Sequence, residues 1–284
     1  PFLPLVGEET LFEQALLRCR EAAHFDPAVV VTGQAHLAHV EAQLCGLPGA
    51  RVIVEPAAKN TAADAALAAL RLPEDEIMLV CPSDHHIADC EAFGAAARSA
   101  AALAAEGWLV SFGIEAKSPE TGFGYLRRGD GVGGANGELG GFKVAQFIEK
   151  PDLARAEQFL AEGGYAWNGG IFAFRVGPFL DELREHRPRL AEAVARAVAG
   201  GREDGHRFHP DPAAFAEVES ESVDYAVMEN TARAAMVPAD MGWSDIGNWQ
   251  ALHAARPRDG AGNAVSGKAE LVDCRNVLVE SDGP

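Results

Sequence analysis

Four segments of this 284-residue chain put carboxylates, lysines, amides and glycines where an apolar run ends. The first, EPAAKNTAAD at residues 55–64, leaves an apolar run, turns at Pro56 and opens a helical pattern at Asn60–Thr61. Free backbone N–H groups at a helix start, together with Lys59, would favour an anion. A capped helix with a solvated lysine explains the same residues. The second, CPSDHHIAD at 81–89, sets Ser83 and Asp84 just past another apolar run. A carboxylate there can reach a metal ion holding substrate phosphates, as Mg2+ usually does, or it can cap the next turn. Adjacent histidines seldom face one way and no third ligand follows at metal spacing, so His85 and His86 argue against zinc.

The third constellation joins FIEKP at 147–151 to AWNGG at 166–170. On a regular strand Glu149 and Lys150 project to opposite sides, so one would meet hydroxyls and the other a phosphate. Trp167, Asn168 and Gly169 offer an apolar wall, an amide and close backbone approach, sensible parts of a sugar site. A surface ion pair and a tight turn are the plainer alternative. The fourth, MGWSDIGNW at 241–249, places Asp245 between two tryptophans and two glycines. It could share one divalent ion with Asp84 or cap a helix beginning at Gly247.

Periodicity supplies the elements that must position these groups. Helices over 11–23, 36–44, 61–70 and 91–105 alternate with apolar strands over 28–32, 51–54, 77–81 and 108–114, the pattern of a parallel sheet covered on both faces. Ligands gather outside the carboxyl ends of such strands, where 55–60 and 82–89 fall. Strands over 124–128 and 143–149 follow, separated by a glycine-heavy connection at 129–141. After them come a helix over 153–162, a strand within 165–175, helices over 178–186 and 188–199, a polar loop over 200–212, a short helix over 223–230, a strand over 234–237 and a helix over 247–255. From Asn263 short β runs alternate with turn residues, which suits a small β appendage or the first coils of a β-helix. Cys19, Cys45, Cys81, Cys90 and Cys274 form no CxxC pair; an odd count fits neither a disulfide framework nor a zinc ribbon, and they read as buried thiols.

Lysine and arginine number 24 against 42 acids, a formal charge of −18. Such a field repels polynucleotides and excludes a general nucleic-acid partner, while a metal ion and a few local cations still admit a small anion. A 48% hydrophobic, 23% charged chain with mean hydropathy −0.04 has ordinary globular composition. No run reaches the ~20 apolar residues of a membrane span, and the start lacks the basic region of a signal peptide, so a cytoplasmic location is expected. The absence of an initiator methionine reads as a chain beginning inside a longer gene product.

In order and approximate spacing, EPAAKNTAAD, CPSDHHI, ETGFGYL (120–126), FIEKPD, WNGGIFAF, VDYAVME (223–229) and GWSDIGNW resemble the mannose-1-phosphate guanylyltransferases, or GDP-mannose pyrophosphorylases. The likeness is to the bacterial long type, often fused to a phosphomannose isomerase domain. It implies an α/β fold: a Rossmann-like mixed-sheet nucleotidyltransferase domain over 1–258, then the start of a C-terminal left-handed β-helix over 259–284. It also implies that GMP passes from GTP to α-D-mannose 1-phosphate, giving GDP-mannose and pyrophosphate. By this resemblance Asp84 and Asp245 bind catalytic Mg2+, and Glu149 and Lys150 hold the sugar hydroxyls and sugar phosphate. Gly124, Tyr125, Asn168 and Gly169 line the sugar pocket, and Ser83 belongs with the substrate. Lys59, Asn60 and Thr61 match an RNTA segment near the nucleotide, with lysine replacing an arginine and giving up its bidentate geometry. Attack of one anion on another depends on positioning and charge neutralisation. Relatives of this kind often form homodimers.

The family pattern opens with a strand and a glycine-rich loop, G-G-x-G-[ST]-R-L-x-P, and a lysine near P-K-Q-F, whereas this sequence begins PFLPLVG. Intact motifs elsewhere favour a loop left out of this sequence. The alternatives are an inactive sugar-nucleotide-binding regulatory homologue and the same fold with another sugar phosphate or base.

Overall fold

The computed structural model describes residues 1–21, 23–44, 47–133 and 139–281. Cys45 and part of the 129–141 connection lie outside them. Helix α1 (Leu11–Arg18) starts at a capping box in which Thr10 and Glu13 exchange hydrogen bonds. Strand β1 (Val29–Gly33), helix α2 (Leu37–Leu44), strand β2 (Arg51–Glu55), helix α3 (Thr61–Ala69) and strand β3 (Ile77–Val80) follow. The strands are runs of branched apolar residues, and the buried alanines of α3 let that helix lie close to the sheet. Next come β4 (His86–Ile87), α4 (Cys90–Ala105), β5 (Leu109–Glu115), β6 (Tyr125–Gly133), β7 (Leu139–Ile148), α5 (Leu153–Glu162) and β8 (Tyr165–Arg175). The chain continues through α6 (Val176–His186), α7 (Pro188–Ala199), β9 (Arg202–Asp204), β10 (Arg207–His209), α8 (Pro212–Ala216), a π-helical turn (Asp224–Met228) and β11 (Ala234–Pro238). It ends with β12 (Trp243–Ser244), α9 (Trp249–Ala255), β13 (Ala264–Ser266) and β14 (Leu278–Glu280).

The fold is the mixed α/β one that the resemblance implied, and only the parallel pattern read from periodicity is corrected. Strands β1 and β2 are parallel, but β8 runs antiparallel to both β3 and β5 in a six-stranded sheet ordered β3-β8-β5-β11-β7-β6. Periodicity reports which faces are buried and is blind to strand direction. The supposed polar loop at 200–212 contains the β9–β10 hairpin, and β10 adds parallel to β2 in a second sheet ordered β1-β2-β10-β9. The glycines of 129–141 extend β6 and β7 through register irregularities instead of merely linking them. The helix expected over 11–23 stops at Arg18, and the one expected over 223–230 is the π-helical turn. Cys90 is exposed, and Cys19, Cys81 and Cys274 are only partly buried.

Helices α3, α6 and α7 pack on one face of the six-stranded sheet, and α4 covers the other. Helices α1 and α2 cover β1 and β2. Strands β1 and β3 each have one edge without a strand partner among the described residues, and both line a cavity of about 2050 Å3. Strands β13 and β14 pair in parallel as a small C-terminal unit. No helix among the described residues is long and apolar enough to cross a membrane.

Close backbone approach fixes one glycine of β7. A Cβ at Gly141 would lie 2.5 Å from the Met236 carbonyl oxygen on β11, whereas one at Gly122 would meet nothing within 4 Å. Gly141→Ala is expected to destabilise the fold by about 1–3 kcal/mol and Gly122→Ala to change little, measured by urea denaturation.

Candidate active site

Strand β12 pairs antiparallel with β4 in the register Trp243↔Ile87 and Ser244↔His86. Asp84 and Asp245 therefore leave the same end of this short ladder, 161 residues apart in sequence by simple subtraction of their numbers. His85 stands between them. Its Nδ1 accepts from Trp243 Nε1 at 3.1 Å, which puts the proton of the neutral ring on Nε2. Burial lowers the basicity of this ring, opposed by the nearby Asp84 and Asp245 carboxylates. Arg18, at the end of α1, donates to the His85 carbonyl at 2.9 Å and ties that helix to the loop.

Neither carboxylate caps a helix: Asp89 caps α4 and Asn248 caps α9. Asp245 sits in a tight turn in which Ile246 has φ 48° and Gly247 N–H donates to Asp245 Oδ1 at 3.1 Å. A Cβ at position 247 would lie 2.7 Å from Asp245 Oδ2, so any other residue there would move that carboxylate.

Strand β7 ends one residue before Glu149. The expectation that Glu149 and Lys150 point apart is corrected, because Lys150 has φ 44° and its ammonium turns back to 3.6 Å from Glu149 Oε1. The Lys150 side chain stays 60% exposed while Glu149 is only 10% exposed. Glu149 Oε2 is buried without a hydrogen-bond partner, and a Cβ at Gly124 would come within 2.5 Å of it. Burial pushes the Glu149 carboxyl up to about 7, helped by Asp224 and opposed by Lys150. Asn168 joins this cluster from β8: its N–H donates to the Gly124 carbonyl at 2.7 Å, and its side-chain Nδ2 donates to Asp224 Oδ1 at 2.6 Å.

Two expected pocket residues flank this cluster with their side-chain positions turned into the core. Tyr125 is fully buried, packed on Phe159, with its hydroxyl donating to the Glu120 carbonyl at 3.0 Å. Gly169 faces the sheet, where a Cβ would lie 3.1 Å from the Phe112 carbonyl oxygen. Its neighbour Gly170, φ 65°, is the glycine beside the His85 ring. Trp167, Phe123 and Trp243 form a chain of edge contacts at 5.3 and 5.2 Å that joins the Glu149 side to the Asp245 side.

The α3 start differs from a free anion site. Its N–H groups are taken: Thr61 by Asn60 Oδ1, Ala62 by the Glu221 carbonyl, Ala63 and Asp64 by the Asn60 carbonyl. Lys59 Nζ donates to the Ala216 carbonyl at 3.0 Å. Thr61 Oγ1 accepts from Val223 N–H at 3.0 Å, anchoring the residue before Asp224, and Thr61 and Ser83 both line the large cavity. Two features escaped sequence reasoning. Asp224 lies in the VDYAVME segment without any local signal of its role. Glu55 and Asp64 form a buried carboxyl pair from the end of β2 and the first turn of α3; burial and the Glu55 charge push Asp64 up to about 7.

The fold and these motifs define a nucleotide-handling α/β class. A model of the nucleotidyl transferase family matches residues 1–261, and the chain belongs to that family. It is 44% identical over 280 residues to the xanthan biosynthesis protein XanB of Xanthomonas campestris pv. campestris (strain B100), covering 97% of this chain and 58% of the relative. It is 42% identical over 273 residues to the mannose-1-phosphate guanylyltransferase of Escherichia coli (strain K12), covering 94% and 57%. The chain thus spans under three fifths of the length of these relatives. A crystal structure of mannose-1-phosphate geranyltransferase from Thermus thermophilus superposes with TM-score 0.80 at 29% identity, covering 97% of this chain and 84% of that one.

Nucleotidyl transferases of this family generally use a divalent metal ion. Among the described residues no three His, Cys, Asp or Glu side chains converge as a ready-made cage. Two carboxylates with the remaining positions left to phosphates and water are donors suited to a hard divalent cation.

Glu149 carries a pH signature. Its folded value of about 7 exceeds the ordinary 4.5, so the folded protein keeps a proton that the unfolded chain releases between these values. Stability from this group is complete below pH 4.5 and is lost as pH rises through about 7. Glu149→Gln is therefore expected to gain thermal midpoint relative to the native protein between pH 4.5 and pH 8, measured by scanning calorimetry across that range.

Proposed function

We propose that this chain transfers GMP from GTP to α-D-mannose 1-phosphate, forming GDP-mannose and releasing pyrophosphate. The observation that carries the reading is that Asp84 and Asp245 leave the same end of the β4–β12 ladder, joined by aromatic contacts to the Glu149, Lys150 and Asn168 cluster. The names of the similar proteins support the same chemistry. Asp84 and Asp245 would hold Mg2+, which when bound screens the phosphate charges and polarises the bond to be broken.

The chain's own groups do the rest. Glu149, carrying a proton near neutrality, can donate to one sugar hydroxyl or accept from another, and the glycine at 124 leaves room for its carboxyl. Lys150, exposed and held above Glu149 by its left-handed backbone, is placed to neutralise the sugar phosphate. Asn168 orients a hydroxyl, while Ser83, Thr61, Asn60 and Lys59 serve the nucleotide at the cavity rim. For Lys59 this requires release of the Ala216 carbonyl. A sugar-phosphate oxygen forms the new bond to the α-phosphorus as the bond to the β-phosphate oxygen breaks, and the electron pair leaves with pyrophosphate. No protein nucleophile or proton transfer is needed, so positioning and charge neutralisation supply the rate.

We assign residues 1–258 to the transferase domain and the parallel β13–β14 pair to the start of a left-handed β-helix, with the reaction set in the cytoplasm. With Mg2+, GTP and mannose 1-phosphate, the protein is expected to release pyrophosphate. Asp84→Asn and Asp245→Asn should each lower kcat/KM by about 1000-fold, with thermal midpoints unchanged. Preference for another nucleotide or sugar phosphate, or turnover surviving both substitutions, would overturn the assignment.

A further inference from the structure

The amide of Asn168 is held from every side but one. Its Oδ1 accepts from Ser111 Oγ at 2.7 Å and from Gly170 N–H at 3.2 Å, which fills both lone pairs. Ser111 is fully buried on β5, where the pairing with β8 changes register between Ser111 and Gly113. On the other side Nδ2 gives one hydrogen to Asp224 Oδ1 at 2.6 Å. A flipped amide would set a carbonyl against the Asp224 carboxylate and an NH2 group against the Gly170 N–H. Both arrangements are repulsive, so one orientation survives and one Nδ2 hydrogen is left over.

Asp224 comes from a distant segment, on the first residue of the π-helical turn, and is itself held by a hydrogen bond from Ser222. Val223, just before it, donates to Thr61 Oγ1. The carboxylate also acts electrostatically on Glu149, and Lys150 acts on it. It thus reaches both the amide and the acid of the cluster from behind.

We propose that Asp224 is a positioning residue for the sugar phosphate, fixing the Asn168 amide so that its remaining N–H is presented toward the Glu149 side. This rests on the mannose 1-phosphate reading of the site. Asp224 touches no reacting atom in the proposal; it acts through Asn168. Its loss should weaken capture of the sugar phosphate while leaving the nucleotide side, which belongs to other segments, unchanged.

The test compares the native protein with Asp224→Ala and with the exchanged pair Asn168→Asp/Asp224→Asn. Asp224→Ala removes the acceptor for Asn168 Nδ2. In the exchanged pair the new carboxylate at 168 still accepts from Ser111 and Gly170, and the new amide at 224 donates to it. The network is kept but the spare N–H at 168 is gone. Asp224→Ala is expected to raise KM for mannose 1-phosphate by roughly tenfold, with KM for GTP within about twofold. The exchanged pair should recover the thermal midpoint without recovering that KM. Recovery of KM in the exchanged pair, or an unchanged KM in Asp224→Ala, would overturn the proposal. Should Asp224→Ala fail to fold, the exchanged pair alone makes the same comparison against the native protein. If the native protein does not turn over these substrates, the functional reading falls separately. Asp224 is then judged by the side-chain amide resonance of Asn168 in nitrogen-labelled protein. A downfield, exchange-protected signal that Asp224→Ala removes supports the positioning role, and a signal that does not change overturns it.

Discussion

Strand β8 hydrogen-bonds to β6 and β5 along its first half and to β5 and β3 along its second, and no other strand among the described residues pairs with three partners. Its antiparallel direction puts its beginning at the carboxyl end of β5, with Ala166 opposite Glu115, and just beyond the carboxyl end of β3, with Phe172 opposite Val80. That edge is where ligands gather in an open α/β sheet. The register change between Ser111 and Gly113 falls at the same place, so the strand departs from its regular ladder where Asn168 and Gly170 are needed. One of these residues holds the Glu149 side together; the other leaves room for His85, which stands between Asp84 and Asp245. Both halves of the site depend on the same two residues of one strand.

A chain with formal charge −18 must bind anions by local means. Glu149, Asp224 and Glu229 all have carboxyls pushed up from their ordinary values, with burial the largest cause in each. Lys150 remains largely in solvent, where its charge is available to an incoming phosphate. The neutral ring of His85, buried between two carboxylates, likewise keeps a fixed positive charge away from that position.

How much of this was legible in sequence follows from the range of each interaction. The runs VVVT and RVIV announce strands because branched apolar side chains suit a pleated, buried surface, and Asn60 was readable as a cap because capping is local. The hairpin within 200–212 was hidden because its residues are mostly polar, and the pairing that reveals it, Arg207 opposite Asp204, is formed only across the turn. The direction of β8 depends on partners that lie from 38 to 98 residues away on subtracting the paired numbers, beyond any local pattern. Tyr125 was placed in the sugar pocket by resemblance alone, yet the backbone carbonyl of Glu120 takes its hydroxyl hydrogen and permits full burial. Lys150 looked like a strand residue, and its left-handed backbone reverses the geometry inferred from strand alternation. Asp224 gave no signal because its partner lies 56 residues away.

The cavity of about 2050 Å3 between the open edges of β1 and β3 bears on the calorimetric behaviour of the whole molecule. Val29, Val31, Leu79 and Val80 line it and are only partly buried, so water meets apolar surface in the folded protein that a closed sheet would have hidden. Unfolding consequently exposes less new apolar area than the chain length suggests, and each Å2 of apolar surface adds about 0.45 cal/K/mol to the heat capacity change. The free-energy curve against temperature is correspondingly flatter.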